Sequence, residues 1–257
     1  MPISLQWIAF LTILRKELRR FSRIWIQTLL PPAITMALYF IIFGQLIGSR
    51  IGEVGGFDYI QFVMPGLIMM SVITNAYSNV VSSFFGAKFG QYIEELLVSP
   101  VPNHVILAGY VAGGVARGLA VGAIVTLLSL FFTDLHLHHF WVTAGMVLLT
   151  AMLFSLLGFI NAVYAKSFDD ISIIPTFVLT PLIYLGGVFY SVEMLPGFWH
   201  GVSLFNPILY MVNAFRYGIL GHSDIDVGLA FLMVTAFTVA ATIFSLWLLR
   251  SGKGLRH

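Results

Sequence analysis

The sequence predicts an all-α integral membrane protein, and two observations carry that prediction. Charged residues are 9% of the 257 and apolar residues 59%, whereas a soluble domain carries about 25% charged residues. So few charges cannot cover a surface exposed to water. The apolar residues also gather in six runs of about 20, the length a hydrocarbon core of roughly 30 Å demands of a helix, rather than in the short alternating segments of a barrel. The chain has no cysteine, which excludes disulfides, thiolate metal sites and cysteine nucleophiles. A net charge of +2 gives no ground for nucleic acid as a partner.

The elements follow in order. Over residues 2–26, Leu5, Ile8, Ala9, Thr12 and Ile13 recur at helical spacing, with Arg15, Lys16, Arg19, Arg20 and Arg23 beside them. This predicts an amphipathic helix lying at the membrane surface. The basic cluster follows the first apolar residues, so the N-terminus does not read as a cleavable signal. Pro31 and Pro32 mark the entry to a first span over 29–48, and a glycine-rich outer link, 49–58, follows. Further spans are expected over 59–83, 104–133, 140–164, 171–190 and 227–249, with a short charged element at 86–103 and an aromatic, proline-broken segment at 191–226. The whole chain, 1–257, forms a single membrane domain in this reading.

Basic residues orient the spans. With the N-terminus inside, the inner segments hold Arg15, Lys16, Arg19, Arg20, Arg23, Lys88, Lys166, Arg250, Lys253 and Arg256, and the outer ones Arg50 and Arg216. An even number of spans then places both termini in the cytoplasm, together with the 86–103 element.

That element is the most informative part of the chain. Read as a helix over 88–98, it puts Phe89, Tyr92, Ile93, Leu96 and Leu97 on one apolar face, with Glu94 and Glu95 pointing elsewhere. Ser99-Pro100 ends it, because a proline pushes the preceding residue out of helical geometry. It is either a surface helix linking two spans or a docking helix whose acidic face meets a cytoplasmic partner.

The run EELLVSPVPNHVILAGY, residues 94–110, resembles the signature of type-2 ABC transporter permeases. A second stretch, LPGFWHGVSLFNPILYMVNAFRYG at 195–218, resembles the family's segment before its last span, with Leu-Pro, then Asn206-Pro207, then an aromatic and an Arg. The order of elements agrees, so the resemblance covers almost the whole chain. It implies a bacterial inner-membrane exporter working as a homodimer with two copies of a separate ATPase. ATP and Mg²⁺ would be bound by that partner and no cofactor by this chain; Gly252-Lys253-Gly254 is followed by Leu255 and makes no phosphate-binding loop. The 88–98 stretch would be the coupling helix, carried by Tyr92, Glu94, Glu95, Leu96 and Leu97 with Ser99 and Pro100 fixing its end. Residues 191–226 would form re-entrant helices gating the outer end of the pathway, with Pro196, Phe198, Trp199, Asn206, Pro207 and Arg216 as candidates. The cargo expected is lipid-linked, glycan or hydrophobic and drug-like.

Other residues bear on function without the resemblance. Arg117 lies within an apolar run, where an ionisable group marks a functional site or snorkels and pairs with Glu94, Glu95 or an acid of the 165–170 turn. Gly109, Gly113, Gly114, Gly118 and Gly122 have the small-residue spacing of close helix packing. Ser71, Asn75, Ser78, Asn79 and Ser82 share a helix face and either bond between helices or line a pathway. His136, His138 and His139 beside Asp134 suggest a solvated loop more than a metal site. Asp169 and Asp170 resemble a helix N-cap and a solvated face. A secondary carrier driven by ions is the alternative; it needs a buried ionisable site, for which Arg117 is the one candidate, and an internal repeat that the sequence lacks. A membrane enzyme needs clustered catalytic groups, and none is visible.

Overall fold

The computed structural model describes residues 1–135 and 137–254. These fold into an all-α bundle. Helix α1 is Ile3–Arg23, α2 is Trp25–Ile51 and α3 is Tyr59–Phe89. The short α4, Tyr92–Val98, leads to α5, Asn103–Ser129. Then come α6, Phe140–Tyr164, and α7, Asp170–Tyr184. Two short helices, α8 at Gly197–Leu204 and α9 at Pro207–Leu220, precede α10 at Val227–Ser251.

Five of these, α2, α3, α5, α6 and α10, are long and apolar enough to cross a membrane. The expected span at 171–190 is shorter than the sequence suggests. Its helix α7 ends at Tyr184, so it reaches only about 22 Å at 1.5 Å per residue. Gly187 turns the chain there at φ +69°, a conformation glycine adopts freely. The expected 104–133 span likewise ends at Ser129. The 59–83 span instead runs on to Phe89 as one helix, with Pro65 inside it.

The outer link contains a structure not foreseen. Strands β1 (Glu53–Val54) and β2 (Phe57–Asp58) pair antiparallel across Gly55-Gly56. Both glycines have positive φ, +61° and +80°, as the tightest hairpin turns require. The ribbon packs on His222, whose ring lies 6.2 Å from that of Phe57.

Helix α3 is the centre of the bundle. In its most apolar window 78% of residues are buried, against 11% for α2 and 22% for α10. Lipid is as apolar as leucine, so close backbone approach must hold such helices together. The glycines of α5 provide it on two faces. A Cβ at Gly114 or Gly118 would press on Ala76 or Val80 of α3, and one at Gly109 or Gly113 on Ile13 or Glu17 of α1. Gly158 of α6 similarly meets the Tyr77 carbonyl of α3.

The basic residues gather towards one end. Lys88, at the end of α3, is buried and donates to the carbonyls of Val163 and Ala165 at 2.6 and 2.8 Å. A cation there suits the unpaired carbonyls and negative dipole end of α6. Gly254 packs on Val163 at the same place, so the end of α10, the α6–α7 turn and α4 share one end of the bundle. Arg256 lies outside the described residues. The ribbon and the 185–226 segment occupy the opposite end.

Candidate functional site

The α4 element is shorter than the 88–98 reading. Lys88 and Phe89 continue α3, and the chain then breaks at Gly90-Gln91, where Gln91 takes a left-handed φ of +61°. This re-aims the helix and splits the expected apolar face. Ile93 is 1% exposed, and Leu96 and Leu97 pack half-buried against the core. Phe89 and Tyr92, by contrast, are largely exposed, Tyr92 at 69%. Glu94, Glu95, Val98 and Pro100 are exposed as well. The stop at Ser99-Pro100 forms as expected: Ser99 is extended (ψ 156°) and its hydroxyl donates to the Leu96 carbonyl at 2.6 Å. The result is about two turns of helix, pinned from beneath, presenting an aromatic and two carboxylates outward.

Beside it lies a polar seam between α1, α3 and α5. The N-terminal helix does more than lie at a surface. Its contacts advance along α5, from Gln6 on His104 to Ile13 on Gly109 and Glu17 on Gly113. Glu17 is wholly buried, accepts from the Ser83 hydroxyl and pairs with Arg20 at 3.3 Å. Arg20 also donates to the Asn79 side-chain and backbone oxygens at 2.8 and 2.9 Å and to Ser82 at 3.4 Å. Glu17 was not singled out in the sequence. The available signal was that it is the sole acid of α1, four residues after Ile13, matching the four-residue step from Gly109 to Gly113.

Arg117, on α5, contacts α3 one helical turn further along. It donates to Asn75 Oδ1 at 3.3 Å and to the Thr28 carbonyl at 3.5 Å. Among the described residues no carboxylate lies within ion-pair distance of it, so the expected pairing with Glu94, Glu95 or the 165–170 acids does not form. Arg117 is in the middle of α5, too deep to reach them. The α3 polar face also divides. Ser71, Asn75 and Asn79 are buried, whereas Thr74, Ser78 and Ser82 are partly exposed at four-residue spacing. Asn75 Nδ2 bonds within its own helix, to the Ser71 carbonyl at 3.0 Å.

At the opposite end, the 191–226 segment forms the two short helices expected. Asn206 breaks them and caps α9, accepting from the Ile208 amide at 3.0 Å while donating to Leu182 of α7 at 2.6 Å. Pro207 opens α9, where a missing amide costs nothing. Pro196, Phe198 and Trp199 are exposed on α8, and Phe205 is 90% exposed. Arg216 is 0% exposed. It donates to the carbonyls of Phe62 and Gly187 at 3.2 and 2.7 Å and to Asn213 at 3.4 Å, with its guanidinium 3.9 Å above the Phe62 ring. Asn213 and Asp224, missed in the sequence, complete this knot. Asn213 accepts from the Asp224 amide, and the Asp224 carboxylate accepts from Ser191 and Val192.

Two lesser expectations concern residues elsewhere in the fold. Asp170 does not cap its own helix; its carboxylate accepts from the amides of Lys166 and Ser167 before it. Asp169 makes no capping bond. His138 and His139 donate backbone amides to Ile219 and Gly218, and their rings pack on Tyr217. His136 is outside the described residues, among which no three potential ligands gather for a metal.

Known proteins agree on what this arrangement belongs to. A family model described as ABC-2 type transporter matches residues 8–220. The chain is 61% identical to the inner membrane transport permease YadH of Escherichia coli K12 over 254 residues, covering 99% of each. It is also 25% identical to nodulation protein J of Rhizobium leguminosarum bv. trifolii, over 87% of this chain and 85% of the relative, and 24% identical to the protein of that name from Rhizobium meliloti strain 1021, over 95% and 92%. The chain therefore belongs to the ABC-2 type transporter family, as a membrane permease subunit.

Proposed function

We propose that this chain forms, as a homodimer, the membrane half of an exporter whose two ATPase subunits seat on α4. Helix α7 serves as the fifth of six crossings, and both termini face the cytoplasm of a bacterial inner membrane. Permeases of this family pair with ABC ATPase subunits, and in this reading the partner would bind ATP and Mg²⁺. The cargo is lipid-linked, glycan or hydrophobic. An apolar groove of about 400 Å³ between α6, α7, α9 and α10, walled by Phe154, Leu157, Leu182 and Phe244 among others, supports the apolar end of that range.

One observation carries the reading. Helix α4 is anchored by Ile93 and bracketed by the left-handed Gln91 and by Ser99-Pro100, yet its Tyr92, Glu94 and Glu95 are exposed, and among the described residues neither carboxylate is in an ion pair. A rigid, short helix offering unmatched carboxylates is suited to a basic cleft on a moving partner. The ion-coupled alternative finds less support, since Arg117 is held by an amide and a carbonyl and, among the described residues, forms no ion pair with a carboxylate.

The test is Glu94→Lys with Glu95→Lys. The doubly changed permease should remain monodisperse but lose its copurifying ATPase and its transport. Unchanged copurification and unchanged transport would remove α4 as the docking element.

A further inference from the structure

The polar seam has a surplus of positive charge and of unused donors. Two guanidiniums, Arg20 and Arg117, share it with one carboxylate, Glu17, which Arg20 and Ser83 already occupy. Asn75 and Asn79, which hold the two arginines, are four residues apart on α3, so the guanidiniums stand one helical turn from each other. Both contacts of Arg117 are long, at 3.3 and 3.5 Å, where good bonds of this kind fall near 2.9 Å.

Three buried donors at this place have no partner among the described residues: Arg20 Nε, Arg117 Nε and Asn79 Nδ2. Asn79 is completely buried. Its orientation is fixed because its oxygen accepts from Arg20, which leaves the NH₂ as the unused group. Leaving buried donors unpaired is costly, and an unmatched cation within a membrane more so. The partly exposed row Thr74, Ser78 and Ser82 runs along α3 beside them and gives access.

We infer that Arg117, Arg20 and Asn79 form a binding site for a single anionic group, a phosphate or carboxylate, on an amphiphile that enters between α1 and α3. The inference rests on the exporter reading and narrows its cargo to anionic amphiphiles. Guanidinium and amide donors match a phosphate's oxygens, and one negative charge neutralises the seam.

The test uses the full-length permease in nanodiscs of phosphatidylcholine with added phosphatidylglycerol, and native mass spectrometry of the lipid retained. Wild type should hold phosphatidylglycerol, with Arg117→Gln reducing retention about ten-fold or more, the size of a lost charge-assisted bond. Arg117→Lys should restore part of it. Arg15→Gln, on the exposed face of α1, should change nothing. A second variant does not depend on the arginine change folding. Asn79→Asp keeps the oxygen that Arg20 uses and places a carboxylate oxygen where the unused NH₂ stands, so the protein would carry its own anion and release the lipid.

Inorganic phosphate, titrated into phosphatidylcholine nanodiscs without the anionic lipid, separates the sources. A saturable thermal shift, absent in Arg117→Gln, identifies the free anion as sufficient; lipid retention without that shift identifies the headgroup. Equal retention by wild type, Arg117→Gln and Asn79→Asp, with no phosphate response, overturns the site, and so does an equal loss in Arg15→Gln. ATPase copurification, measured in parallel on wild type, fails only if the exporter reading itself fails.

Discussion

Glu17 lies directly over Gly113: a Cβ added to that glycine would stand 2.5 Å from the Glu17 Cβ. The N-terminal helix therefore seats its one buried acid on a position that has no side chain. Gly113→Ala should push α1 off α5 and pull Glu17 from Ser83 and Arg20, destabilising the protein by about 1–3 kcal/mol, the usual cost of overpacking. Gly86→Ala, on α3 where a Cβ meets nothing within 4 Å, is the matched control and should be close to neutral. Midpoints of unfolding in sodium dodecyl sulfate report both. Equal midpoints would mean that α1 is not held by this contact.

The charge on Glu17 matters separately from its shape. Glu17→Gln keeps the volume and an oxygen for the Ser83 hydroxyl, but leaves Arg20 and Arg117 with no anion in the seam. The expected loss is about 1–3 kcal/mol, typical of a buried charged group deprived of its partner. Adding Arg20→Gln should recover part of that loss, because the unmatched cation goes with it. The coupling is read from a double-mutant cycle, and strictly additive losses would show that the two residues do not act as a pair.

How far the chain could be read in advance depended on the range of the cause. Long spans were legible because length and hydropathy are local properties, and so were the Ser99-Pro100 stop and the Asn206-Pro207 break, which are set by one dipeptide each. The 88–98 reading puts Phe89 and Tyr92 on one face with Ile93, but Phe89 belongs to the end of α3 and a single left-handed residue, Gln91, re-aims everything from Tyr92 on; glutamine gives no warning of that conformation. Glu17 is not singled out by the sequence, and Lys88 reads only as one of the inner basic residues. Their burial is decided by Gly113 and by the end of α6, about 96 and 75 residues further along the chain. Arg117 was recognised as anomalous, but its partners, Thr28 and Asn75, are neutral and carry no charge pattern to find.

Within α4, anchoring and docking fall on different residues. Ile93→Ala should loosen the helix from the bundle, with a destabilisation of about 2–4 kcal/mol as for other buried aliphatic truncations. Tyr92→Ala should leave stability within about 0.5 kcal/mol, since exposed positions tolerate change, while weakening ATPase copurification. The reverse assignment, with Tyr92 stabilising and Ile93 dispensable, would restore the continuous 88–98 helix that the Gln91 break excludes.

At the opposite end, Arg216 joins α9 to the other two elements around it. Its guanidinium donates at once to Phe62 of α3, to Gly187 in the turn after α7 and to Asn213 in its own helix. The Phe62 and Gly187 acceptors are carbonyls directed by a fixed backbone and the third is the Asn213 side-chain oxygen, and the planar guanidinium meets all three while lying 3.9 Å over the Phe62 ring. An ammonium keeps the charge but cannot span the same three acceptors and stack as well. Arg216→Lys should therefore cost about 2–4 kcal/mol, the sum of one or two lost charged bonds, even though net charge is unchanged. Phe198→Ala, on the exposed face of α8, should not alter stability. If both belong to an outer gate, both should change transport, but only the arginine should change the unfolding midpoint. A lysine at 216 that unfolds with the wild type would mean charge alone is needed there, and that the α3, α7 and α9 ends are held together by packing around Val188 and Gly66 instead.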